Sequence, residues 1–590
     1  MAKMRPGLFV IAIAIAIAAA CGPKTPAVDS KQLAKDVSGL ADAYVVSFLD
    51  AFPYQAVIIG ARERHPSILG DHSLPALKKW EAKEDELLAA LKKIDVKDID
   101  GLPEEITYKF LQHLLESAIG YRVCRPELWN VSPTYTGWQA DLPVAAGMQI
   151  TDRPEDQQNA IARWSQVPQY LDDEMANLNE GIRLGYTAPK GNVQSVINQV
   201  NALLAAPIGE SPFVQMAKPG SAPSFKKALE DAERASIRPA IAKYRDFLVK
   251  TYLPAAREAI GVSANPNGAA CYAAAVKYHA TVDMTAQQVH DLGQAQMDKI
   301  VAEMKEIGQR SFNVDDPAAL IKLVKTDPKY RFKSRDELIK TAESSVQRAK
   351  DALPKWFGTL PMAPVIVEPY PAFLEKTAPG GQAVPASGGK PGKYLINAYK
   401  ATDQSRAGLE STAFHEAYPG HHLQMSLALE SEGLHPMSRY FSLSGFSEGW
   451  GLYAERLADE MGLFSSDVDR LGLLSNEALR AARLVVDSGM HALGMTRQQA
   501  IDYVLAHTTE TQAGAEAEID RYIAVPGQAT AYMIGNLEIR RLRAEATQKL
   551  GAKFDIRQFH DVVLEGGSIP LWVLRENVEH WIAQTLAAGK

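Results

Sequence analysis

From residue 33 to the C-terminus, apolar residues recur three and four positions apart, and Pro and Gly clusters cut the pattern into segments one helix long. This period constrains the fold most, because such a stripe is buried together only when the backbone makes 3.6 residues per turn. Leu77, Trp80, Leu87, Leu91 and Ile94 form one such stripe, with Glu84 its one gap. Similar stretches cover residues 104–121, 154–184, 193–204, 225–252, 286–306 and 334–353, punctuated by breakers such as Pro207-Ile208-Gly209 and Asn265-Pro266-Asn267-Gly268. No internal repeat of fixed period is present. Between residues 361 and 401 the texture changes. Val365-Ile366-Val367 and Tyr394-Leu395-Ile396-Asn397 are short β-branched or aromatic runs, separated by the glycine-rich loop Pro379-Gly380-Gly381-Gln382 and a second one ending at Gly392. The expected fold is mainly α: a two-lobed helical shell around a deep cleft, with a small inserted β-sheet. An N-terminal helical region over 33–358 and a catalytic region over 359–590 suit this pattern, as does one continuous shell.

With 590 residues, of which 46% are hydrophobic, the chain can bury a large core, and the composition excludes a disordered tail or a disulfide-stapled miniprotein. Its net charge of −7, with no basic block, leaves nothing to neutralise a phosphate backbone, so no nucleic-acid partner is expected. The one membrane-like stretch begins with Lys3 and Arg5, runs apolar from Leu8 to Ala20 and stops at Cys21. That layout is a secretory signal, too short for an ordinary spanning helix. Ala18-Ala19-Ala20 before the cysteine and Gly22 after it resemble the lipobox of bacterial lipoproteins, which implies removal of residues 1–20, a lipid on Cys21 and a tether over 21–32. The mature charge is then about −9, and contact with the membrane is through the lipid anchor only. The expected location is the bacterial cell envelope, periplasm-facing or at the outer membrane. Cys124 and Cys271 either pair in that oxidising compartment or remain two buried thiols.

The densest chemical signal is Phe414-His415-Glu416-Ala417-Tyr418-Pro419-Gly420-His421-His422, which holds three of the 13 histidines next to a glutamate. Imidazole nitrogens and carboxylate oxygens together suit zinc or another divalent cation. In the familiar zinc-peptidase helix two histidines stand four apart, but four beyond His415 is Pro419, which cannot ligate. Seven residues along an undisturbed helix would separate two imidazoles by about 10 Å, so the Pro-Gly pair has to bulge. Either His421 or His422 is then the second ligand. Glu448 lies in Phe446-Ser447-Glu448-Gly449-Trp450, surroundings too apolar for an unpaired carboxylate. It needs a cation, either the metal as third ligand or Arg480 or Arg483. Glu455, two turns farther on the same face, is placed to orient an imidazole. Arg480, Arg483, Asp487 and His491 share one helical face, where Arg483 or His491 would clamp a substrate carboxylate or all four would form an internal ladder. His279, His290 and His507 are expected to be capped or on the surface.

The motif His415-Glu416-x-x-Pro419-Gly420-His421-His422, the segment Ser447-Glu448-Gly449-Trp450-Gly451-Leu452-Tyr453-Ala454-Glu455 and the later Pro526-Gly527-Gln528-Ala529-Thr530-Ala531-Tyr532 resemble the bacterial domain-of-unknown-function 885 family, from about residue 35 to the end. Through that family the chain is similar in layout to zinc metallopeptidases with a glutamate as third ligand, angiotensin-converting enzyme and the thermostable bacterial carboxypeptidases among them. The resemblance implies a metal held by His415, by His421 or His422, and by Glu448. It implies Glu416 as general base, Tyr532 as donor to the oxyanion, and Tyr394 to Asn397 as an edge strand that binds extended substrate. The expected activity is zinc-dependent hydrolysis of short peptides. Two other readings use the same residues: a metal-dependent hydrolase of a non-peptide ester or amide, and a non-catalytic envelope binding lipoprotein that keeps the metal as a strut.

Overall fold

The computed structural model describes residues 29–588, except 62, 372–374, 376, 377 and 388. The signal, Cys21 and residues 22–28 of the tether therefore lie outside the described residues, and the expected tether ends too late, because Ser30 already opens the first helix behind the Asp29 cap. Helices account for most of the rest. The ones used below are α1 (Ser30–Ala51), α2 (Leu74–Leu91), α3 (Glu104–Tyr121), α4 (Lys190–Ala205), α5 (Gly268–Ala280), α6 (Ala286–Ile307), α7 (Arg335–Ala352), α8 (Leu409–Glu416), α9 (His421–Glu430), α10 (Ser444–Glu460), α11 (Asp467–Ala492), α12 (Gln512–Ala524) and α13 (Ala531–Leu550). Among the described residues no helix is long and apolar enough to cross a membrane.

Local signals in the sequence set these boundaries. Asp29 and Ser73 accept backbone N–H groups at the starts of α1 and α2, and Thr285 with Gln288 forms a reciprocal box at the start of α6. The gap in the α2 stripe also has a cause. Glu84 is buried and bound by Arg122 at 2.7 Å, so the charge is paired rather than exposed. Helix α11, ~39 Å long at 1.5 Å per residue, is buried along almost all of its length and packs against α6.

Three strands, β1 (Val365–Pro369), β2 (Gly381–Val384) and β3 (Gly392–Ile396), form one sheet in the order β1-β3-β2. β1 runs parallel to β3, and β2 antiparallel to it. The run from Tyr394 is therefore the middle of the sheet, not its edge, and Gly381-Gln382, expected in a loop, belongs to an edge strand. Glycine weakens strand propensity, but here the backbone of β2 pairs with β3 regardless.

The largest hydrophobic cluster contains Cys124, Met304, Phe357, Phe446 and Ile582, and so packs both sides of position 358 together. A second cluster gathers Trp138, Trp164, Leu178, Val196 and Tyr252, and a third joins α1, α2 and α3 to Met437 and Leu443. Cys124 and Cys271 are joined in a disulfide, with Cα atoms 4.6 Å apart.

Candidate metal centre

His415 lies one residue before the end of α8 and His421 opens α9. Between them Ala417 (φ −104°, ψ −104°) and Gly420 (φ −82°, ψ −131°) leave helical geometry, and the Tyr418–Pro419 peptide is cis. The interruption turns the second histidine back, so the two rings meet edge to face with centroids 4.6 Å apart. On α10, Glu448, Gly451 and Glu455 share a face. The His415 ring lies over Gly451, where an added Cβ would come within 2.8 Å of its Nε2. Glu448 Oε2 is 3.5 Å from His415 Nε2 and 3.5 Å from His421 Nε2. Among the described residues, His415, His421 and Glu448 are the one group of three such donors compact enough to hold an ion.

Two lengths test whether a cation fits. Charge-assisted N–H···O hydrogen bonds run at about 2.7–2.9 Å, which the 3.5 Å contacts exceed. Tetrahedral ligands at zinc bonds of about 2.05 Å lie ~3.3 Å from one another, close to what is seen. Electrostatics agree. Burial pushes the Glu448 carboxyl up, yet His415 and His421 outweigh it and hold it well below the usual carboxylate range. Burial works against a charge on His415, but Glu448 and Glu455 overcome it and raise the imidazole to about 9. The acids demand positive charge at this spot, and a divalent cation meets the same demand as a proton.

Glu455 accepts from His415 Nδ1 at 2.8 Å and from the Ser411 hydroxyl. A proton fixed on Nδ1 leaves the Nε2 lone pair free to face Glu448 and His421. His422 turns elsewhere: it is buried and its Nε2 lies 2.9 Å from the Ala363 carbonyl. The geometry thus selects His421 over His422. Glu416, next to His415, is half-buried, and among the described residues no hydrogen bond engages its carboxylate. It lies under Gly381, whose added Cβ would be 3.1 Å from Glu416 Cγ. The edge strand beside it is therefore β2.

The family described as "Bacterial protein of unknown function (DUF885)" matches residues 53–578. The chain belongs to that family. No curated protein matches its sequence. Among solved structures, this DUF885 chain is similar to a protein of Colwellia psychrerythraea described provisionally as a lipoprotein. The identity is 25% and the TM-score 0.86, covering 94% of this chain and 100% of that one. A protein of Shewanella oneidensis, provisionally a lipoprotein of unknown function, shares the fold at 19% identity and a TM-score of 0.72, covering 92% of this chain and 99% of that one.

The remaining expected residues of the DUF885 chain divide clearly. Tyr532, early in α13, is half-buried; burial and then the charge of Glu448 push its phenol up to about 12, so it keeps its proton. Arg483 is not a free clamp. It donates to the Tyr522 hydroxyl and to Glu518, both at 2.8 Å, and its guanidinium lies 4.4 Å from the centre of the Tyr532 ring. His491 is excluded as a clamp too, because it is fully buried, its Nδ1 accepting from the Val262 N–H and its Nε2 lying 3.0 Å from the Tyr522 carbonyl. Nor do the four α11 residues form a ladder; among the described residues none of their side chains hydrogen-bonds another, Asp487 accepting from Tyr272 and from the Gly527 N–H. Asn397 is used to hold the segment before β2, donating to the Glu375 and Ala378 carbonyls. Tyr394 is wholly buried in the middle strand. The sequence marked Gly381 only as part of a glycine-rich loop and gave no sign of Tyr370; both lie near Glu416, whose charge adds to the effect of burial in raising the Tyr370 phenol. The glycine pair before β2, where backbone is bare enough for close approach, was the available signal.

Proposed function

We propose that this chain is a lipid-anchored, divalent-metal-dependent peptidase of the cell envelope, with zinc as the expected ion and short peptides as substrates. One observation carries the reading: His415, His421 and Glu448 converge, Glu448 Oε2 lying 3.5 Å from each imidazole Nε2, while Glu416, the residue after His415, stays out of that set with a carboxylate that no hydrogen bond engages among the described residues. A bound cation supplies Lewis acidity there, polarising a scissile carbonyl and acidifying water. The chain's own groups do the rest. Glu416 takes a proton from the attacking water on its carboxylate and passes it to the leaving amine. Tyr532, protonated across the physiological range, donates its phenol hydrogen to the developing oxyanion. Glu455 holds His415 in the tautomer that faces the cation. The free edge of β2 offers backbone groups to an extended peptide beside Glu416. The lipid anchor is supported by the Ala-Ala-Ala-Cys-Gly sequence at residues 18–22 and by the provisional lipoprotein descriptions of the two structural neighbours.

The test is metal analysis of the purified protein beside His415→Ala, together with hydrolysis of a peptide panel against matched esters. One equivalent of metal in the wild type, lost in the variant, with peptides cleaved in preference to esters, is the expected result. Absence of metal from zinc-supplemented wild type would refute the proposal.

A further inference from the structure

An oxyanion donor has to bring its hydrogen to one point, yet Tyr532 is half-buried and among the described residues no hydrogen bond engages its hydroxyl. Its backbone is well placed. A Cβ on Gly449 would lie 2.5 Å from Gly535 Cα, so α10 and α13 cross backbone to backbone there. Glu448 is the residue before Gly449 and Tyr532 lies three before Gly535, which puts both within about one 5.4 Å turn of the crossing. The turn that leads into α13 is fixed as well. Gly527 (φ +78°) lies against α5, where an added Cβ would come within 2.9 Å of the Ala275 carbonyl carbon, and its N–H donates to Asp487 of α11 at 3.1 Å. Backbone placement alone still leaves the Tyr532 ring a choice of rotamers.

Arg483, one turn before Asp487 on the same face of α11, meets that ring. Its guanidinium carbon lies 4.4 Å from the ring centre. The guanidinium cannot swing, because Nε donates to the Tyr522 hydroxyl and Nη2 to Glu518, both at 2.8 Å. Glu518 also accepts from Arg521 at 3.0 Å and from the Tyr522 hydroxyl, so one carboxylate stands between two guanidiniums and a positive charge is left over. Arg483 Nη1 is buried with no partner among the described residues. The face of the Tyr532 ring meets this uncompensated charge, and the attraction holds ring and cation to each other. Arg521 donates in turn to Gln528 at 2.6 Å, in the turn before α13, so α12 braces both the cation and the start of the helix that carries the phenol. Arg483, Glu518 and Tyr522 would suffice as a structural network; the contact with Tyr532 ties that network to the metal centre.

We propose that Arg483 is a positioning residue: lying over the Tyr532 ring, it fixes the rotamer that aims the hydroxyl at the metal centre. This deepens, and rests on, the peptidase reading. The test is a double-substitution cycle on the zinc-loaded protein, read with the best-cleaved peptide of the panel. Tyr532→Phe should lower kcat by about 10²-fold, the scale of one lost oxyanion donor. Arg483→Lys keeps a charge beside Glu518 but loses the planar fork. It should lower kcat by ~10-fold with KM and zinc content unchanged, because a donor moved out of line keeps only part of its effect. In the Tyr532→Phe background the same lysine should cost less than about 2-fold. Equal losses in the two backgrounds, or no loss in the wild type, overturn the positioning and leave the peptidase reading standing. Should Arg483→Lys not fold, Tyr522→Phe, which removes only the oxygen that Arg483 Nε donates to, takes its place in the cycle with the same outcomes. If the wild type cleaves no peptide, the peptidase reading fails, and crystal structures of the zinc-loaded wild type and variant decide. A Tyr532 ring displaced or split between rotamers in the variant supports the positioning; an unmoved ring overturns it.

Discussion

His415 is held between two carboxylates that use its two nitrogens differently, and that division makes the centre testable one residue at a time. Glu455 fixes Nδ1, and Glu448 shares the side of Nε2 with His421. His421→Ala should therefore lose stoichiometric zinc, while His422→Ala, whose ring is tied to the Ala363 carbonyl, should retain it; metal analysis of the two proteins separates them. Glu416→Gln should keep its zinc and lose kcat by about 10²–10⁴-fold, the usual contribution of a general base. Asp487 permits a pH prediction. Burial raises its carboxyl from 3.8 to about 7, and one of its oxygens is buried with no partner among the described residues. An acid whose folded pKa is raised binds its proton more tightly when folded. Its stabilising effect is complete below about pH 4 and is lost as pH climbs through 7, at roughly 1.4 kcal/mol per pH unit at most. Denaturant unfolding at pH 5 and pH 8 should show Asp487→Asn gaining on the wild type at the higher pH. The three donors that come together were legible in the sequence as candidates, because histidines beside a glutamate and a carboxylate among aromatic residues call for a cation. The choice between His421 and His422 was not, since it depends on backbone angles at Ala417 and Gly420 that spacing does not encode.

At the scale of elements, helical stripes predicted helices well, and the sheet is where reading by propensity failed. Val365–Pro369 was visible as a β-branched run, but the order β1-β3-β2 rests on pairing between segments that no local pattern reports. The edge strand moved from the residues of highest propensity to a glycine-rich one. The crossing of α10 and α13 is another long-range fact. A Cβ on Gly535 would lie 1.8 Å from the Gly445 carbonyl oxygen, so the helices touch backbone to backbone, one turn from Tyr532. Gly535→Ala must push α13 off α10 and carry the phenol away from Glu448. The expected cost is about 1–3 kcal/mol in denaturant unfolding, as for other overpacked contacts. Because the proposed metal ligands lie on α8, α9 and α10, kcat should fall while zinc content stays at one equivalent.

For the whole molecule, the division of the chain differs from the division of its core. The change of texture near residue 360 marks where the sheet enters, yet the largest cluster packs α6 and α7 from before that point with α8 to α13 from after it. The separate cluster around Trp138, Trp164 and Tyr252 lies wholly inside the N-terminal region. A chain of this length exceeds what one cooperative core usually holds together, so two unfolding units are expected, with the metal belonging to the larger. On the proposed reading, zinc binds only where His415, His421 and Glu448 are assembled. At a thousandfold excess over its dissociation constant it should stabilise that unit by about 4 kcal/mol, and chelation should remove the same amount. Calorimetry should then resolve two transitions, of which chelator lowers one. Hydrogen exchange assigns them: amides of α8 and α10 should lose protection on chelation, while those of the helix Val167–Leu184, in the smaller cluster, should not change. A single transition that moves as a whole, with protection lost everywhere, would mean that contacts such as that between α4 and α12 weld the two clusters into one cooperative unit.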